Sequence, residues 1–346
     1  MPFRLKISLA ILAVIIFAIV VAPLLFSPSE PPGVRPLAEV AGPDAEYLSV
    51  EGVDLHVVRS GGADDAAAAS ESEKLFLLLH GFPYSTASFA KLAPLLDDLG
   101  EVVAVDLPGF GLSERPLGDE LSAGFNPYSA AGQVTLISGL LTQLRERNPS
   151  ADVILVGSDS GARLALDVAL ALQQGDASQE PAGLVLIGAS PFTSSTRSWL
   201  SRTVMNSPQL KRLGPVFLRQ IAQEPGLRIL RAGRSEPAAI TQDELDAYQR
   251  PWTVEGWDDA LWELTKADAP PSLEGSLGVL NMPALVVAGA EDGVVPITVA
   301  DQLANELPDA SVALVASCGH AVQAECPTQL AQLIGDWLGA AVDSLP

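Results

Sequence analysis

The chain has 346 residues and a formal net charge of −22, with 20 basic against 42 acidic side chains. A surface this acidic repels phosphate backbones and anionic lipid, which excludes nucleic-acid binding as a function class. The 48% hydrophobic content excludes a disordered chain, and two cysteines with three histidines exclude a disulfide-built scaffold and a zinc array.

Residues Ile7 to Phe26 form an uncharged apolar run broken only by Ser8 and Pro23. A helix of about this length crosses the ~30 Å hydrocarbon core of a bilayer. Arg4 and Lys6 precede it, so the positive-inside bias places the N-terminus in the cytoplasm and the rest of the chain on the outer, periplasmic or extracellular, side. The expectation is a single-pass signal anchor over 7–26. A cleaved signal peptide is the rival, although its apolar core is usually shorter and Pro23 obstructs cleavage after Ala22. Residues 27–44, rich in proline, read as a stiff, extended linker.

Beyond the linker, Tyr47–Val50 and Leu55–Arg59 read as a hairpin turning at Gly52-Val53. The polar, low-complexity stretch from Gly61 to Glu73 reads as an exposed loop. Leu75–Leu79, Val102–Val105, Val153–Val156 and Leu184–Ile187 are continuous apolar runs, as strands buried on both faces of a parallel sheet require. Helical stretches separate them at Ser88–Leu99, Ala130–Arg147 and Ala162–Gln173. Ala284–Ala288 and Val312–Val315 repeat the strand pattern, with helices at Thr298–Glu306 and Thr328–Leu338. This alternation predicts one α/β domain over 45–342 with right-handed crossovers. Between the sixth and seventh main strands, about 191–278 has no buried-strand run and holds four of the five tryptophans. It reads as a helical insertion, or cap.

Four motifs follow strands. Val153–Val156 runs through Gly157-Ser158-Asp159-Ser160-Gly161 directly into a helix. So sharp a turn crowds the backbone, demands small flanking residues and lifts Asp159 above the sheet edge at the positive end of that helix. An Asp here also serves as an ordinary helix N-cap. Leu75–Leu79 leads into His80-Gly81-Phe82-Pro83. Val102–Val105 leads into Asp106-Leu107-Pro108-Gly109-Phe110-Gly111-Leu112-Ser113. The last two strands lead into Gly289-Ala290-Glu291-Asp292 with Pro296, and into Gly319-His320 with Glu325 and Pro327.

In this order the motifs resemble the α/β-hydrolase superfamily over about residues 45–340. The resemblance implies a mostly parallel eight-stranded sheet flanked by helices, with a cap. It implies Asp159 as nucleophile, Asp292 as triad acid, His320 as base, and the backbone amides of Phe82 and Ser160 as oxyanion donors. His80 and Asp106 take architectural roles, and no metal or organic cofactor is needed. Aspartate at the elbow resembles the epoxide hydrolases and the haloalkane and haloacetate dehalogenases.

An aspartate anion displaces directly at an sp³ carbon and forms an enzyme ester, which a water activated by His320 then hydrolyses. Epoxide hydrolases donate hydrogen bonds from two cap tyrosines. Here only Tyr248 lies in the cap, while Tyr84 follows the oxyanion turn. With Trp252 these are the candidate substrate contacts. Dehalogenases carry Trp or Arg beside the nucleophile, where this chain has Ser160, and Arg163 one turn on is expected to face solvent or a neighbouring loop. The expected activity is therefore epoxide hydrolase-like, on a small lipophilic molecule met at the membrane. Carboxylesterase-, lipase- or dehalogenase-like hydrolysis and a non-catalytic binding role are the alternatives. Cys318 and Cys326 flank His320 and are read either as a disulfide or as two buried thiols.

Overall fold

The computed structural model describes residues 17–25, 28–60, 74–117, 124–175, 179–193, 197–222 and 224–342. Eight strands lie in a single sheet: β1 Glu46–Val50, β2 Val53–Ser60, β3 Lys74–Leu79, β4 Glu101–Val105, β5 Asp152–Ser158, β6 Gly183–Ile187, β7 Ala284–Gly289 and β8 Ala310–Val315. Their order is β1-β2-β4-β3-β5-β6-β7-β8. β1 and β2 pair antiparallel, as does β2 with β4, and every later pairing is parallel.

The pleat sends alternate side chains of each strand to opposite faces. Leu75, Leu77 and Leu79 of β3 join one core with the helices Ala130–Arg147 and Ser160–Gln174. Phe76 and Leu78 join the other, with the helix Pro327–Trp337. Both faces are covered, which is why the central strands read as unbroken apolar runs. β8 is the exception. It is an edge strand, and Val312 and Leu314 are exposed.

The stretch predicted as one helix over Ser88–Leu99 is instead a 3-10 turn at Thr86–Phe89 and a short helix at Ala93–Leu96. Pro94 has no N–H to give the carbonyl of Ala90, so a helix can begin there but not run through. The low-complexity loop over 61–73 lies outside the described residues.

Helices Trp199–Met205, Pro208–Ala222, Glu224–Ala232, Gln242–Gln249 and Trp257–Lys266 fall between β6 and β7. Arg163 ties both necks of this insertion to the helix Ser160–Gln174. It is buried on the helix Ser160–Gln174, donates Nη1 to the carbonyl of Pro191 at 3.0 Å and Nη2 to that of Pro271 at 2.7 Å, and pairs through Nε with Asp167. The solvent-facing alternative for this side chain is thereby corrected.

The segment expected to be an extended linker is pinned to the same insertion. It contains a short helix, Leu37–Ala41, and Val40 packs with Leu112 and Val254. Arg35 exchanges backbone hydrogen bonds with Thr253 and Glu255. The proline content stiffens the strap, but its apolar side chains find partners and fold it down. Of the anchor expected at 7–26, residues 7–16 and 26 lie outside the described residues. Phe17–Val21 forms a π-helical turn that continues into the helical turn Ala22–Leu25. Among the described residues no helix is long and apolar enough to cross a membrane.

Replacing Arg163 with Ala strips two buried carbonyls of their donor and leaves Asp167 without its cation. Loss of buried hydrogen bonds of this kind costs about 2–4 kcal/mol. Urea unfolding of Arg163→Ala is expected to show that loss.

Candidate active site

The turn after β5 is built by exclusion of side chains. A Cβ at Gly157 would lie 2.4 Å from Cα of Ala162, and one at Gly161 would lie 2.1 Å from the carbonyl oxygen of Leu79. Asp159 between them takes φ 51°, ψ −117°, a conformation that non-glycine residues rarely occupy. Its amide donates to Ile187 of the neighbouring strand, and its side chain makes no capping hydrogen bond to the helix that follows. The carboxylate is therefore not used as an ordinary N-cap.

Opposite it stands His320. Its Nε2 is 3.8 Å from Oδ1 of Asp159, and its Nδ1 is 2.8 Å from Oδ2 of Asp292. The other oxygen of Asp292 accepts from the amides of Val294 and Val295 at 2.7 and 2.9 Å, which fixes the carboxylate's orientation. Burial works to raise the Asp292 carboxyl, but the His320 bond and those amides outweigh it and hold it below the usual range. Glu291, the neighbouring candidate, is exposed. Burial likewise works to lower His320, yet the carboxylates of Asp159 and Asp292 prevail and raise it to about 9.

His320 is braced from the cap. Cys318 and Cys326 form a disulfide around its loop, which resolves the two alternatives for these cysteines. Glu325 accepts from the amide of Gly319 at 2.7 Å, from the amide and hydroxyl of Ser235 at 2.9 and 2.6 Å, and from the amide of Glu236 at 3.1 Å. Ser235 had no signal in the sequence, because only the fold brings residues 233–236 onto the histidine loop. Gly188 is a second residue that the sequence did not single out. It has φ 56°, and a Cβ there would stand 2.9 Å from Cε1 of His320. Its place directly after β6 is the signal that was available.

The amide of Phe82 points to the site but donates to Oγ of Ser160 at 3.0 Å. One expected oxyanion donor is thus occupied by its partner residue's hydroxyl, which a χ1 rotation of Ser160 would release. His80 is fully buried and serves the turn. Leu107 donates its amide to Nε2, and Nδ1 lies 3.0 Å from the carbonyl of Gly81, so Nδ1 carries the proton. Burial holds this imidazole low and neutral. Asp106 accepts from His56, Thr86 and Leu112 and organises its loop.

Tyr84, Tyr248 and Trp252 come together. Tyr84 and Tyr248 meet edge-to-face with ring centroids 6.4 Å apart, and Trp252 lies 5.0 Å from Tyr248 and stacks on Trp257. They line a tight cavity of ≈ 40 Å³ with Phe82, Phe110 and Ile229. Tyr248 spends its hydroxyl on the carbonyl of Gly226 at 3.3 Å. A second cavity of ≈ 290 Å³ lies across Phe82, where Ser160, Gln133 and Thr265 supply polar groups. Phe82, Phe110 and Leu261 border both.

A carboxylate at the apex of a strand-turn-helix elbow, facing a histidine oriented by a second carboxylate, on an eight-stranded mostly parallel sheet, defines a protein of α/β-hydrolase architecture. The chain belongs to the Alpha/beta hydrolase family, whose signature matches residues 76–333. It is 26% identical over 263 residues to the uncharacterized hydrolase YugF of Bacillus subtilis (strain 168), covering 75% of this chain and 88% of that protein. It is also 26% identical over 273 residues to a 2-hydroxymuconate semialdehyde hydrolase of Pseudomonas sp. (strain CF600), covering 77% and 87%. The structure of haloalkane dehalogenase DbeA from Bradyrhizobium elkani USDA94 superposes with a TM-score of 0.64 at 18% identity, covering 87% of this chain and 99% of that one.

Two outcomes are expected. Because the folded-state value of His320 is raised, the stability it contributes is complete below its unfolded value near 6.5 and is lost as pH rises through about 9. Asp159→Asn removes one of the two carboxylates, so an NMR titration of His320 should move to lower pH and the loss of stability should move with it. Gly188→Ala should push the imidazole aside and reduce kcat about 10²-fold, as roughly 1 Å misplacements do.

Proposed function

We propose that the protein is a membrane-anchored hydrolase that uses Asp159 as a nucleophile through a covalent ester, and that its substrate is a small lipophilic epoxide. The observation that carries this reading is the position of the Asp159 carboxylate, at the elbow's apex and 3.8 Å from Nε2 of His320. Serine hydrolases need histidine to withdraw a proton before attack. A carboxylate needs no such help, so a histidine placed here is needed as a base only in the second half of the reaction.

The charge state of the site fits that division. With His320 raised to about 9, the resting site at neutral pH is an imidazolium between two carboxylates. Attack of an Asp159 oxygen on an epoxide carbon forms the ester C–O bond and breaks a ring C–O bond. The ring oxygen departs as an alkoxide and takes the imidazolium proton. Esterification also removes the Asp159 charge that held His320 high, so the histidine remains neutral and competent as a base. It then takes a proton from water, whose oxygen attacks the Asp159 carbonyl carbon. The amides of Phe82 and Ser160 receive the oxyanion once the Ser160 hydroxyl turns away. Collapse expels the diol oxygen, which is protonated by His320, and the Asp159 carboxylic acid returns its proton to the imidazole.

Tyr84 is the group assigned to polarise the ring oxygen. Burial pushes its phenol up to about 12, so it stays a hydrogen-bond donor throughout the working range. Tyr248 packs against it and keeps it in place. The aromatic lining of the cavity suits an apolar substrate. The apolar run Ile7–Phe26 supports membrane anchoring with the catalytic domain on the outer side, and a disulfide suits an oxidising compartment.

The test is intact-protein mass of the full-length His320→Ala chain after exposure to pooled epoxides, haloalkanes and esters. Without its base the enzyme should stall as an ester that carries the whole mass of the epoxide on Asp159. An alkyl adduct lacking halogen would make the protein a dehalogenase, and an acyl adduct on Ser158 or Ser160 would overturn the aspartate nucleophile.

A further inference from the structure

The net charge of the chain conceals a local reversal. Residues 197–234 hold eight of the 20 basic side chains and one of the 42 acidic ones. This is the part of the cap formed by the helices Trp199–Met205, Pro208–Ala222 and Glu224–Ala232. It also carries the most exposed large apolar side chain of the described residues, Trp199 at 76%, together with Phe217 at 60% and Leu200 at 56%. Lys211, Arg228 and Arg231 are exposed among them. A basic amphipathic surface with tryptophan at its edge is the composition of an element that lies in the headgroup region of a bilayer.

The apolar N-terminal run ends on this same surface. Gln209 donates to the carbonyl of Val20 at 3.0 Å, Arg212 to that of Leu24, and Arg219 to that of Ser29 at 2.6 Å. Val20, Leu24 and Ser29 therefore meet the helix Pro208–Ala222 in the same chain order as their partners on it. Phe17, Val20 and Leu25 of the run are themselves exposed. Residues 1–16 precede them and carry half of the apolar run.

We infer that the cap face formed by Trp199, Leu200, Phe217, Lys211, Arg228 and Arg231 docks onto an anionic phospholipid bilayer. Global repulsion of anionic lipid by the acidic domain is offset locally, because screening confines each charge's influence to about 10 Å at ordinary salt. The orientation has a consequence for substrate entry. Gly226 and Ile229, on the helix Glu224–Ala232, line the aromatic cavity from the docking side, so the roof of the pocket borders the lipid. A lipophilic substrate would then reach Tyr84 and Asp159 from the membrane without crossing water. This inference shares with the proposed function the assumption that the apolar run enters a bilayer.

The experiment uses the full-length chain with vesicles of phosphatidylcholine alone or with phosphatidylglycerol, each containing acyl-brominated lipid that quenches tryptophan on contact. Quenching should be strong with phosphatidylglycerol, and Trp199→Phe should lose that quenched component while keeping activity on a water-soluble substrate. Lys211→Glu with Arg231→Glu should weaken the effect about fivefold per charge. Equal quenching in wild type and Trp199→Phe would overturn the docking face. So would a concentration-dependent dimer that buries Trp199 without quenching. A chain that fails to float with phosphatidylcholine vesicles, yet shows Trp199 quenching with phosphatidylglycerol, would remove the anchor and keep the docking face.

Discussion

The whole site depends on three backbones brought closer than side chains permit. The end of β5, the start of the helix Ser160–Gln174 and the end of β3 meet where Gly157 and Gly161 leave no room for a Cβ. That contact forces Asp159 into a positive-φ conformation and denies it the capping role an aspartate would otherwise take. The strain is maintained by the sheet, whose parallel pairing of β3, β5 and β6 is buried on both faces. Once the carboxylate is held there, the remaining groups are placed by where neighbouring strands end. Asp292 follows β7, His320 follows β8 and Phe82 follows β3.

Around this constraint the electrostatics are arranged in sequence. Two carboxylates share one imidazole, with Asp292 held tightly at 2.8 Å and Asp159 more loosely at 3.8 Å. The tight contact orients the ring. The loose one leaves the Asp159 carboxylate without a close bond to the ring. A second layer of contacts supports the imidazole from the cap. Glu325 bonds Ser235 and so joins the histidine loop to residues that would otherwise belong only to the roof, while the disulfide closes that loop on itself. The cap is therefore mechanically part of the site, and Arg163 links its two necks to the helix that begins beside Asp159.

Much of the fold was legible because its signals are local. The runs Leu75–Leu79 and Val153–Val156 read as doubly buried strands and are strands, and the helix Ala130–Arg147 appears with the bounds expected of it. The errors were also local in origin. Pro94 shortened the helix expected over Ser88–Leu99, and edge position exposed Val312 and Leu314 despite their hydrophobicity. Strap residues such as Val40 looked like spacer because proline content reports stiffness and says nothing of docking.

The amino-acid sequence by itself determined the order of strands and helices, the elbow around Asp159 and the chain order Asp159, Asp292, His320, since each is written in the spacing of a few adjacent residues. Only the tertiary structure decided that Ser160 caps the Phe82 amide, that Tyr84 and Tyr248 pack together, that Ser235 and Gly188 shape the histidine's surroundings, and that Val20 and Leu24 meet a basic cap helix. Those contacts join residues as many as 189 positions apart. No local pattern encodes such distances, because the sheet and its cap must first bring the segments together before side-chain chemistry can act between them.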